Sequence, residues 1–316
     1  MQTARGARSG GSLPLTQNST LKTKTPPLSQ PSWLGVSALT AVTAIWGWSF
    51  LLVKDSVAGY PVFPFLALRF SLAALLVYPF LRHRLKAADR PTVVGGALMG
   101  AALFSGYAFQ TVGLLSTSAA HSGFITGLFV VFTPLFEAVI LKRVPRWDLW
   151  VAVVVSTAGL ALLSLQGGAG LSTGDLLSLC CAAVYAVHLL LTSHMAKRYD
   201  TGALVIVQIA TVAALAWIFS IPSLGEMTPV PRATVFGIVI TAIFATALAY
   251  FVQTAFQRHI SALQTALIFT MEPVFAGLFA VVLGGEHLGW RGMAGGAFIV
   301  GGMLAGQRAE QRATSR

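Results

Sequence analysis

The chain has 316 residues, of which 55% are hydrophobic and 10% are charged, and its mean hydropathy is +0.75. These values lie outside the range of ordinary soluble domains and indicate a membrane protein. The net charge of +11 does not indicate nucleic acid binding, because the basic residues are spread between apolar segments and form no single patch. The lipid bilayer is therefore the expected partner, and no nucleic acid is expected.

The first 32 residues are polar, rich in Ser, Thr, Pro and Gly, and contain no acidic residue. Such a composition cannot form a packed core, so residues 1–32 are predicted to be a disordered cytoplasmic tail. An acid-free start with Arg and Ser is also typical of an organelle transit peptide, so a targeting segment stays open as an alternative.

Apolar windows of about 20 residues, the length that crosses a hydrocarbon core of about 30 Å, recur from Leu34 to Gly306. None of them shows the alternating pattern of a membrane barrel. The prediction is an all-α integral membrane fold with ten transmembrane helices connected by short loops. The predicted spans are 34–53, 62–81, 93–114, 118–141, 148–166, 175–195, 202–221, 233–256, 261–284 and 289–306.

The positions of Lys and Arg predict how these spans are oriented. With a cytoplasmic N-terminus, most basic residues fall in inner segments, and the outer segments hold only Lys54, Arg232 and Arg291. By the positive-inside rule, this distribution supports ten helices with both termini in the cytoplasm. Residues 308–316 are then a short cytoplasmic C-terminal tail.

The two halves of the chain match each other in sequence. At an offset of 143, Gln110 falls on Gln253 and Gly159 falls on Gly302, while an offset of 139 aligns the first spans of each half. Such self-similarity is typical of transporters built from internal repeats. The predicted repeats are residues 33–168 and residues 169–307, each with five helices.

Five is an odd number of helices, so the second repeat has to enter the membrane in the opposite orientation. Inverted repeats place a pseudo-twofold axis in the membrane plane and a cavity near the midplane. That geometry can expose one site to each side of the membrane in turn, which is alternating access. Repetition alone is also compatible with a channel or a scaffold.

Two prolines inside predicted spans suggest paired hinges. Pro273, in FTMEPVF, and Pro134, in VFTPLFE, lie on equivalent helices and are one helical turn apart when the repeats are aligned. A proline frees a carbonyl and kinks the helix, and in a membrane that backbone has to be satisfied by protein or cavity water. Both residues are predicted hinges, with a role in packing alone as the alternative.

Glu272 lies about eleven residues into the ninth predicted span, which is roughly 16 Å deep at about 1.5 Å per residue. A charge at that depth costs several kcal/mol in lipid, so the carboxyl group has to face the protein interior, face a watery cavity, or be protonated. Glu272 is therefore a candidate for proton coupling or for binding a cationic group. The alternative is a neutral or paired carboxyl that stabilises the kink at Pro273.

Arg69 and His188 are further ionisable residues inside predicted spans. Arg69 could bind a substrate carboxylate or phosphate, or it could pair with an acid or cap carbonyls in a structural role. His188, equivalent to Ser49, could relay protons or could simply be hydrogen-bonded. Further polar and aromatic candidates for a cavity wall, most of them expected to be packing residues, are Trp46, Trp48, Ser49, Tyr107, Gln110, Gln208, Tyr250 and Gln253.

Several of these segments resemble the EamA branch of the drug/metabolite transporter superfamily. WGWSF, GFITGLFVVFTPLFEAVIL and SALQTALIFTMEPVFAGLFAVVLGGEHL occur in the order found in that family, over about Leu34 to Gly306. The resemblance implies an inner-membrane carrier of small metabolites, often an exporter of amino acids or related compounds, with a central cavity between the repeats. The first repeat departs from the pattern, because it has LKRVP where a family repeat commonly has an acidic turn, and Glu286 is left without an equivalent.

The predicted function is secondary transport of a small metabolite by alternating access, with proton coupling as an open question. An intramembrane enzyme is the second alternative, but the sequence has no HExxH motif and no His-rich cluster. A channel or scaffold is the third. No catalytic residue, metal or cofactor is expected. The expected partner is a small-molecule substrate, and Gly302 and Gly306 predict a close helix contact, either internal or in a homodimer.

Overall fold

The computed structural model describes residues 33–117, 119–140, 142, 144–164, 172–284 and 289–314. All regular secondary structure in these ranges is helical. The predicted tail 1–32, Glu286 and most of the connection between the two predicted repeats lie outside the described residues. At the C-terminus, α13 continues to Thr314, past the predicted boundary at residue 307.

The α-helices of the described chain are α1 (Trp33–Val57), α2 (Val62–Lys86), α3 (Arg90–Gly113), α4 (Ala119–Gly127), α5 (Phe129–Ile140), α6 (Trp147–Ser164), α7 (Thr173–Met195), α8 (Thr201–Ser220), α9 (Arg232–Ile240), α10 (Ala249–Gln257), α11 (Ala262–Phe269), α12 (Glu272–Gly284) and α13 (Trp290–Thr314). A 3-10 helix, Ile221–Glu226, follows α8. A π-helix, Thr241–Leu248, joins α9 to α10 and is called the π segment below.

Side-chain caps explain where several helices begin. Ser172 and Asp175 form a capping box at the start of α7, and Ser261 and Gln264 form one at the start of α11. Asp89 caps α3 by accepting from the N–H of the third residue of that helix. Each cap satisfies backbone N–H groups that have no partner in the first turn of a helix, which fixes the helix start.

Eight helical segments of the described chain are long and apolar enough to cross a membrane, so the predicted multi-pass, all-helical protein is confirmed. The predicted fifth span is present as a shorter apolar helix, Trp147–Leu162, and α13 is not among the eight. The predicted count of ten is therefore not confirmed. The eight segments are Trp33–Val57, Val62–Lys86, Arg90–Gly113, Ser122–Ile140, Thr173–Met195, Thr201–Glu226, Arg232–Gln257 and Ala262–Phe279.

The predicted fourth and ninth spans are each broken into two helices. One break falls at Leu128, between α4 and α5, and the other at Thr270 and Met271, between α11 and α12. Leu128 and Met271 are equivalent at the offset of 143. The N–H of each donates to the carbonyl three residues earlier, at 3.1 Å and 3.0 Å, so the two breaks are tight turns at equivalent positions.

The two predicted hinge prolines relate differently to these breaks. Pro273 is the second residue of α12 and directly follows its break, whereas Pro134 lies inside α5, more than one turn after Leu128. The break in the first half thus lies before Pro134, and the hinge at Pro134 stays a prediction. Gly127, a poor helix former, ends α4 there.

Equivalent helices of the two halves pack against each other in antiparallel pairs. At one end of the α2–α8 pair, Arg84 binds Asp200 at 2.9 Å, and nearer the other end Trp217 donates to Ser71 at 2.9 Å. Helices α6 and α13 form a second antiparallel pair. This arrangement is the one expected for inverted repeats.

Close contact between α6 and α13 depends on small residues at equivalent positions. A Cβ atom on Gly159 would lie 2.6 Å from the carbonyl oxygen of Gly295, and a Cβ atom on Gly302 would lie 2.9 Å from the carbonyl oxygen of Ala152. At the offset of 143, Gly159 is equivalent to Gly302 and Ala152 is equivalent to Gly295, so the two contacts are related by the repeat. The close contact predicted from Gly302 is therefore internal, between the two halves of one chain.

Two large buried apolar clusters and a small third one, Met99, Ala196 and Leu204, form the core of the described chain, and the candidate site lies between the two large ones. One cluster is centred on α2, α3 and α8 and includes Phe65 and Phe70. The other joins α5, α6, α11 and α13 and includes Leu267. Trp46 and Tyr185, which are equivalent at the offset of 139, pack against both clusters.

Candidate functional site

A cavity continuous with the outside lies between the two halves of the molecule, and its empty volume is about 800 Å³ when the space open to solvent is included. Helices from both halves contribute to its wall, which is mainly apolar and aromatic with a few polar and charged groups. Such a wall is typical of a small-molecule site. The lining residues are Trp46, Ser49, Val53, Arg69, Leu103, Tyr107, Gln110, Thr111, Leu114, Thr126, Phe129, Tyr185, His188, Leu189, Tyr250, Gln253, Phe269 and Glu272.

Aromatic residues mark the point where the two halves meet. Tyr107 and Tyr250 are equivalent at the offset of 143, and their hydroxyl oxygens are 2.8 Å apart. The Trp46 ring is 5.6 Å from that of Tyr250, and the rings of their equivalents, Tyr185 and Tyr107, are 6.1 Å apart. The contact of Trp46 with Tyr250 thus recurs between Tyr185 and Tyr107, which places the pseudo-twofold axis near the tyrosine pair.

Arg69 of α2 is buried, with only 2% of its surface exposed. Its Nε donates to Thr246 Oγ1 at 2.8 Å, and its Nη2 donates to the Tyr107 hydroxyl at 3.3 Å and to the Ala245 carbonyl oxygen at 3.4 Å. The guanidinium carbon also lies 5.4 Å and 5.1 Å from the ring centroids of Phe70 and Tyr107. None of the described carboxylates pairs with this guanidinium, so its charge stays uncompensated at the cavity wall.

The π segment supplies two of the acceptors that hold Arg69. At the end of this segment the N–H of Ala249 donates to the Phe244 carbonyl, five residues back. In an α-helix that N–H would bond to the Ala245 carbonyl. The Ala245 carbonyl oxygen instead accepts from Trp46 Nε1 at 2.9 Å as well as from Arg69. A local departure from α-helical geometry therefore creates an acceptor for two cavity-lining side chains.

Glu272 is the first residue of α12 and lines the cavity directly after the helix break. In the described part of the chain no group donates a hydrogen bond to its carboxylate. Helix α1 crosses this point closely, because a Cβ atom on Gly47 would lie 2.8 Å from the carbonyl oxygen of Glu272 and 2.8 Å from the amide nitrogen of Ala276. Only a glycine allows α1 to come this near, so Gly47 fixes the broken helix against α1.

The His188 side chain is buried and takes part in a chain of hydrogen bonds. Its Nε2 lies 3.2 Å from Gln208 Oε1, and Gln208 Nε2 donates to Thr254 Oγ1 at 3.2 Å. This chain links α7, α8 and α10 at the edge of the cavity. The arrangement agrees with the hydrogen-bonded alternative for His188.

A second polar chain closes one end of the cavity. Gln257 Nε2 donates to the Leu189 carbonyl oxygen at 2.8 Å and to Ser193 Oγ at 2.9 Å, joining α10 to α7. Its Oε1 accepts from Gln253 Nε2 at 3.0 Å. The Oε1 atom of Gln253 is buried without a hydrogen-bond partner in the described chain.

The cavity extends further toward one end of the helix bundle than toward the other. Val53, near the end of α1, and Leu114, just after α3, belong to its lining. Toward the opposite end the lining stops at Leu189 and Gln253, where Gln257 joins α7 and α10. The cavity therefore reaches one end of the bundle and stops at the polar contacts of Gln257 toward the other.

Most residues proposed from the sequence meet in this cavity. Trp48 does not line it, although it is close in sequence to Trp46, because residues two apart do not share a helix face. Tyr185 was not predicted, although its position equivalent to Trp46 is a signal that could have found it. Thr246 has no such signal, since it is one threonine in an apolar run. Gln208, also proposed, does not line the cavity either. The predicted residues that line the cavity are Trp46, Ser49, Arg69, Tyr107, Gln110, His188, Tyr250, Gln253 and Glu272.

Comparison with known proteins agrees with the two halves seen in this fold. The model of the EamA-like transporter family matches residues 33–165 and again residues 172–305. The chain therefore belongs to the EamA-like transporter family. The two matches coincide with the two halves that contribute to the cavity.

Individual relatives support the same assignment. A protein of Archaeoglobus fulgidus described as an uncharacterized transporter is 32% identical over 250 residues, which is 79% of this chain and 78% of that protein. The uncharacterized transporter YcxC of Bacillus subtilis is 28% identical over 124 residues, covering 39% of this chain and 37% of its own length. A solved crystal structure with 22% sequence identity covers 88% of this chain and 99% of its own, with a TM-score of 0.70, and shows a similar fold.

Proposed function

We propose that this protein is a secondary transporter that moves a small zwitterionic metabolite, such as an amino acid, through the cavity between its two halves. One observation carries the proposal. An arginine and a glutamate line the same aromatic-walled cavity, and neither forms an ion pair with any described residue. Uncompensated charges are costly inside a membrane protein and by default indicate a pathway for ions or substrates.

The two charges suggest how the substrate would be held. The guanidinium of Arg69 would bind the carboxylate of the substrate, since its planar N–H groups suit a carboxylate. The carboxylate of Glu272 would bind the ammonium group, or exchange it for a proton. Trp46, Tyr107 and Tyr250 would contact an apolar or aromatic body, because aromatic side chains supply large apolar contact areas.

Alternating access would follow from the pairing of equivalent helices. If the N-terminus is cytoplasmic, the open end of the cavity faces outward and the contacts of Gln257 close the inner side. Exchanging the conformations of the two halves would close the outer end and open the inner one. We assign the protein to the inner or plasma membrane, with ten crossings and export as the direction of transport.

Counterflow in proteoliposomes tests the function. Vesicles holding the purified protein and unlabelled L-phenylalanine should accumulate external labelled L-phenylalanine above its outside concentration for a limited time, because a carrier exchanges internal for external substrate. L-lysine, L-glutamate and phenethylamine serve as further probes of the charge requirement. Protein-free vesicles control for leakage.

A saturable exchange of at least one zwitterionic amino acid is expected. Flux without counterflow would indicate a channel and overturn the carrier mechanism. Equal transport of phenethylamine, which lacks the carboxylate, would overturn the role of Arg69. Imposing a pH gradient across the same vesicles then tests whether protons drive accumulation.

A further inference from the structure

Two of the three neutral groups that accept hydrogen bonds from Arg69 belong to the opposite half of the molecule, and this arrangement suggests a role for residues that sequence comparison alone does not mark. Thr246 and Ala245 lie in the π segment of the second half, whereas Arg69 lies on α2 of the first half. We propose that Thr246 is a positioning residue, which orients the Arg69 guanidinium so that it presents free N–H groups to the anionic group of the substrate. This inference rests on the proposed function.

The hydrogen bonds determine which edge of the guanidinium remains available. Nε is occupied by Thr246 Oγ1 at 2.8 Å, and Nη2 is shared between Tyr107 and Ala245 at longer distances, 3.3 Å and 3.4 Å. No bond from Nη1 to a described residue exists, although Arg69 lines the cavity. The short bond at Nε thus fixes the plane of the group and leaves the Nη1 side for a ligand.

Neutral acceptors around the Arg69 guanidinium leave its positive charge available to a substrate, whereas a carboxylate would not. An aspartate or glutamate bound to Nε would neutralise the guanidinium and compete with a substrate carboxylate. A threonine hydroxyl, a tyrosine hydroxyl and a backbone carbonyl satisfy the buried N–H groups while the positive charge remains. Nε and Nη2 are therefore satisfied without a bound anion, while the positive charge and Nη1 remain available to one.

The π segment explains why these acceptors reach Arg69. Residues 98–105, which are equivalent to the π segment at the offset of 143, belong to the regular helix α3. The π-helix is thus confined to the second half of the described chain, while the guanidinium it holds belongs to the first. π-helical turns are rare and are frequently found at functional sites.

Substitutions at Thr246 test whether its hydroxyl orients Arg69 or whether its side chain only fills space. Thr246→Val keeps the shape and removes the acceptor, Thr246→Ser keeps the hydroxyl, and Thr246→Cys puts a weak acceptor in its place. Thr241→Val is the matched control, because Thr241 is also fully buried in the π segment but bonds only to carbonyls of its own helix. The measured quantities are the half-saturating concentrations of L-phenylalanine and phenethylamine in the exchange assay.

We expect Thr246→Val to raise the half-saturating concentration of L-phenylalanine roughly tenfold and to leave that of phenethylamine nearly unchanged, since the latter has no carboxylate for Arg69. Thr246→Ser and Thr241→Val should resemble the wild type, and Thr246→Cys should lie between Ser and Val. If the valine variant does not fold, the comparison of Ser with Cys decides the question.

Two outcomes overturn the inference in different ways. If wild type and the valine and cysteine variants have the same affinity for L-phenylalanine, Thr246 does not position Arg69. The same conclusion follows if a variant loses affinity equally for L-phenylalanine and phenethylamine. A wild type that exchanges none of the zwitterionic probes would instead refute the proposed substrate, and the inference would fall with it.

Discussion

A buried guanidinium in a membrane protein needs acceptors for its N–H groups, and those of Arg69 come from distant parts of the chain. Its bond to Thr246 joins residues 177 positions apart in sequence. Glu272 differs from Arg69, because its carboxylate has no hydrogen-bond donor among the described residues. It lies at a helix break beside the cavity. The proposed transported ligand would bind both residues, since ionisable groups inside a membrane protein by default indicate a pathway for ions or substrates.

Replacing Arg69 with lysine tests whether it binds an anion. Lysine keeps the positive charge but cannot bond to Thr246 and Tyr107 while also presenting a further planar N–H group to the substrate, so Arg69→Lys should weaken binding of L-phenylalanine roughly tenfold or more while the protein still folds. The measurement is the half-saturating concentration in proteoliposomes. Arg84→Lys is the control, because Arg84 forms an exposed ion pair away from the cavity. An Arg69→Lys variant that is unfolded in detergent would favour a structural role.

Replacing Glu272 with glutamine tests proton coupling. Glutamine has nearly the same shape but no titratable proton, so Glu272→Gln should abolish accumulation driven by a pH gradient while counterflow between equal pH values persists. Both fluxes are measured in the same vesicles. Glu226→Gln, at an exposed position after α8, should change neither flux. Unchanged gradient-driven accumulation in Glu272→Gln would refute the coupling role.

At the scale of elements, the broken helices show how sequence and structure differ. Pro273 and Pro134 predicted a pair of kinks, and a pair of breaks exists, but it falls at Leu128 and Met271. The breaks are at equivalent positions in the two halves. Pro273 directly follows its break, whereas Pro134 lies more than one turn after its own. Pro273 is compatible with its break because it occupies the first turn of α12, where the missing N–H has no helical partner to lose.

Close packing between α6 and α13 gives a prediction about stability. Gly302→Ala would place a methyl group 2.9 Å from the carbonyl oxygen of Ala152, so the helices would have to separate, at a cost of about 1–3 kcal/mol. Gly301→Ala is a matched control on the same helix, because a Cβ atom there would meet nothing within 4 Å. Thermal unfolding in detergent should show a lower apparent melting temperature for Gly302→Ala only. Equal melting temperatures would show that the contact is looser than described.

On the scale of the whole molecule, the two halves have the same fold, but their contacts at the two ends of the cavity differ. The tyrosine pair and the α6–α13 contact obey the pseudo-twofold relation. The two ends of the cavity do not obey it, because Gln257 bonds to α7 whereas its equivalent, Leu114, lines the open cavity. Such asymmetry is expected of a transporter observed in one of two exchangeable conformations.

Cysteine labelling tests the membrane orientation. In a variant lacking Cys180 and Cys181, a cysteine at Thr173, the exposed first residue of α7, should react with an impermeant thiol reagent added to intact cells. A cysteine at Ala88, between α2 and α3, should react only after the membrane is permeabilised. The expectation follows from the excess of Lys and Arg in the predicted inner loops. The reverse pattern would contradict the cytoplasmic N-terminus.

The sequence by itself determined the class of protein, the two repeats and most of the polar positions in the cavity. These depend on hydrophobic length, on charge placement and on matches at a fixed offset, all of which are local or periodic properties of the chain. Gln110, Gln253 and Glu272 could be selected because a polar residue is conspicuous in an apolar span.

The tertiary structure alone decided which of those residues meet and what holds them. It placed the helix break at Leu128, formed the π segment, and gave Arg69 its acceptor at Thr246. These features depend on contacts between helices that are far apart in sequence, and packing against a neighbouring helix can override local preference in either direction. A buried threonine in an apolar run carries no signal of its partner until the opposite half of the molecule is folded against it.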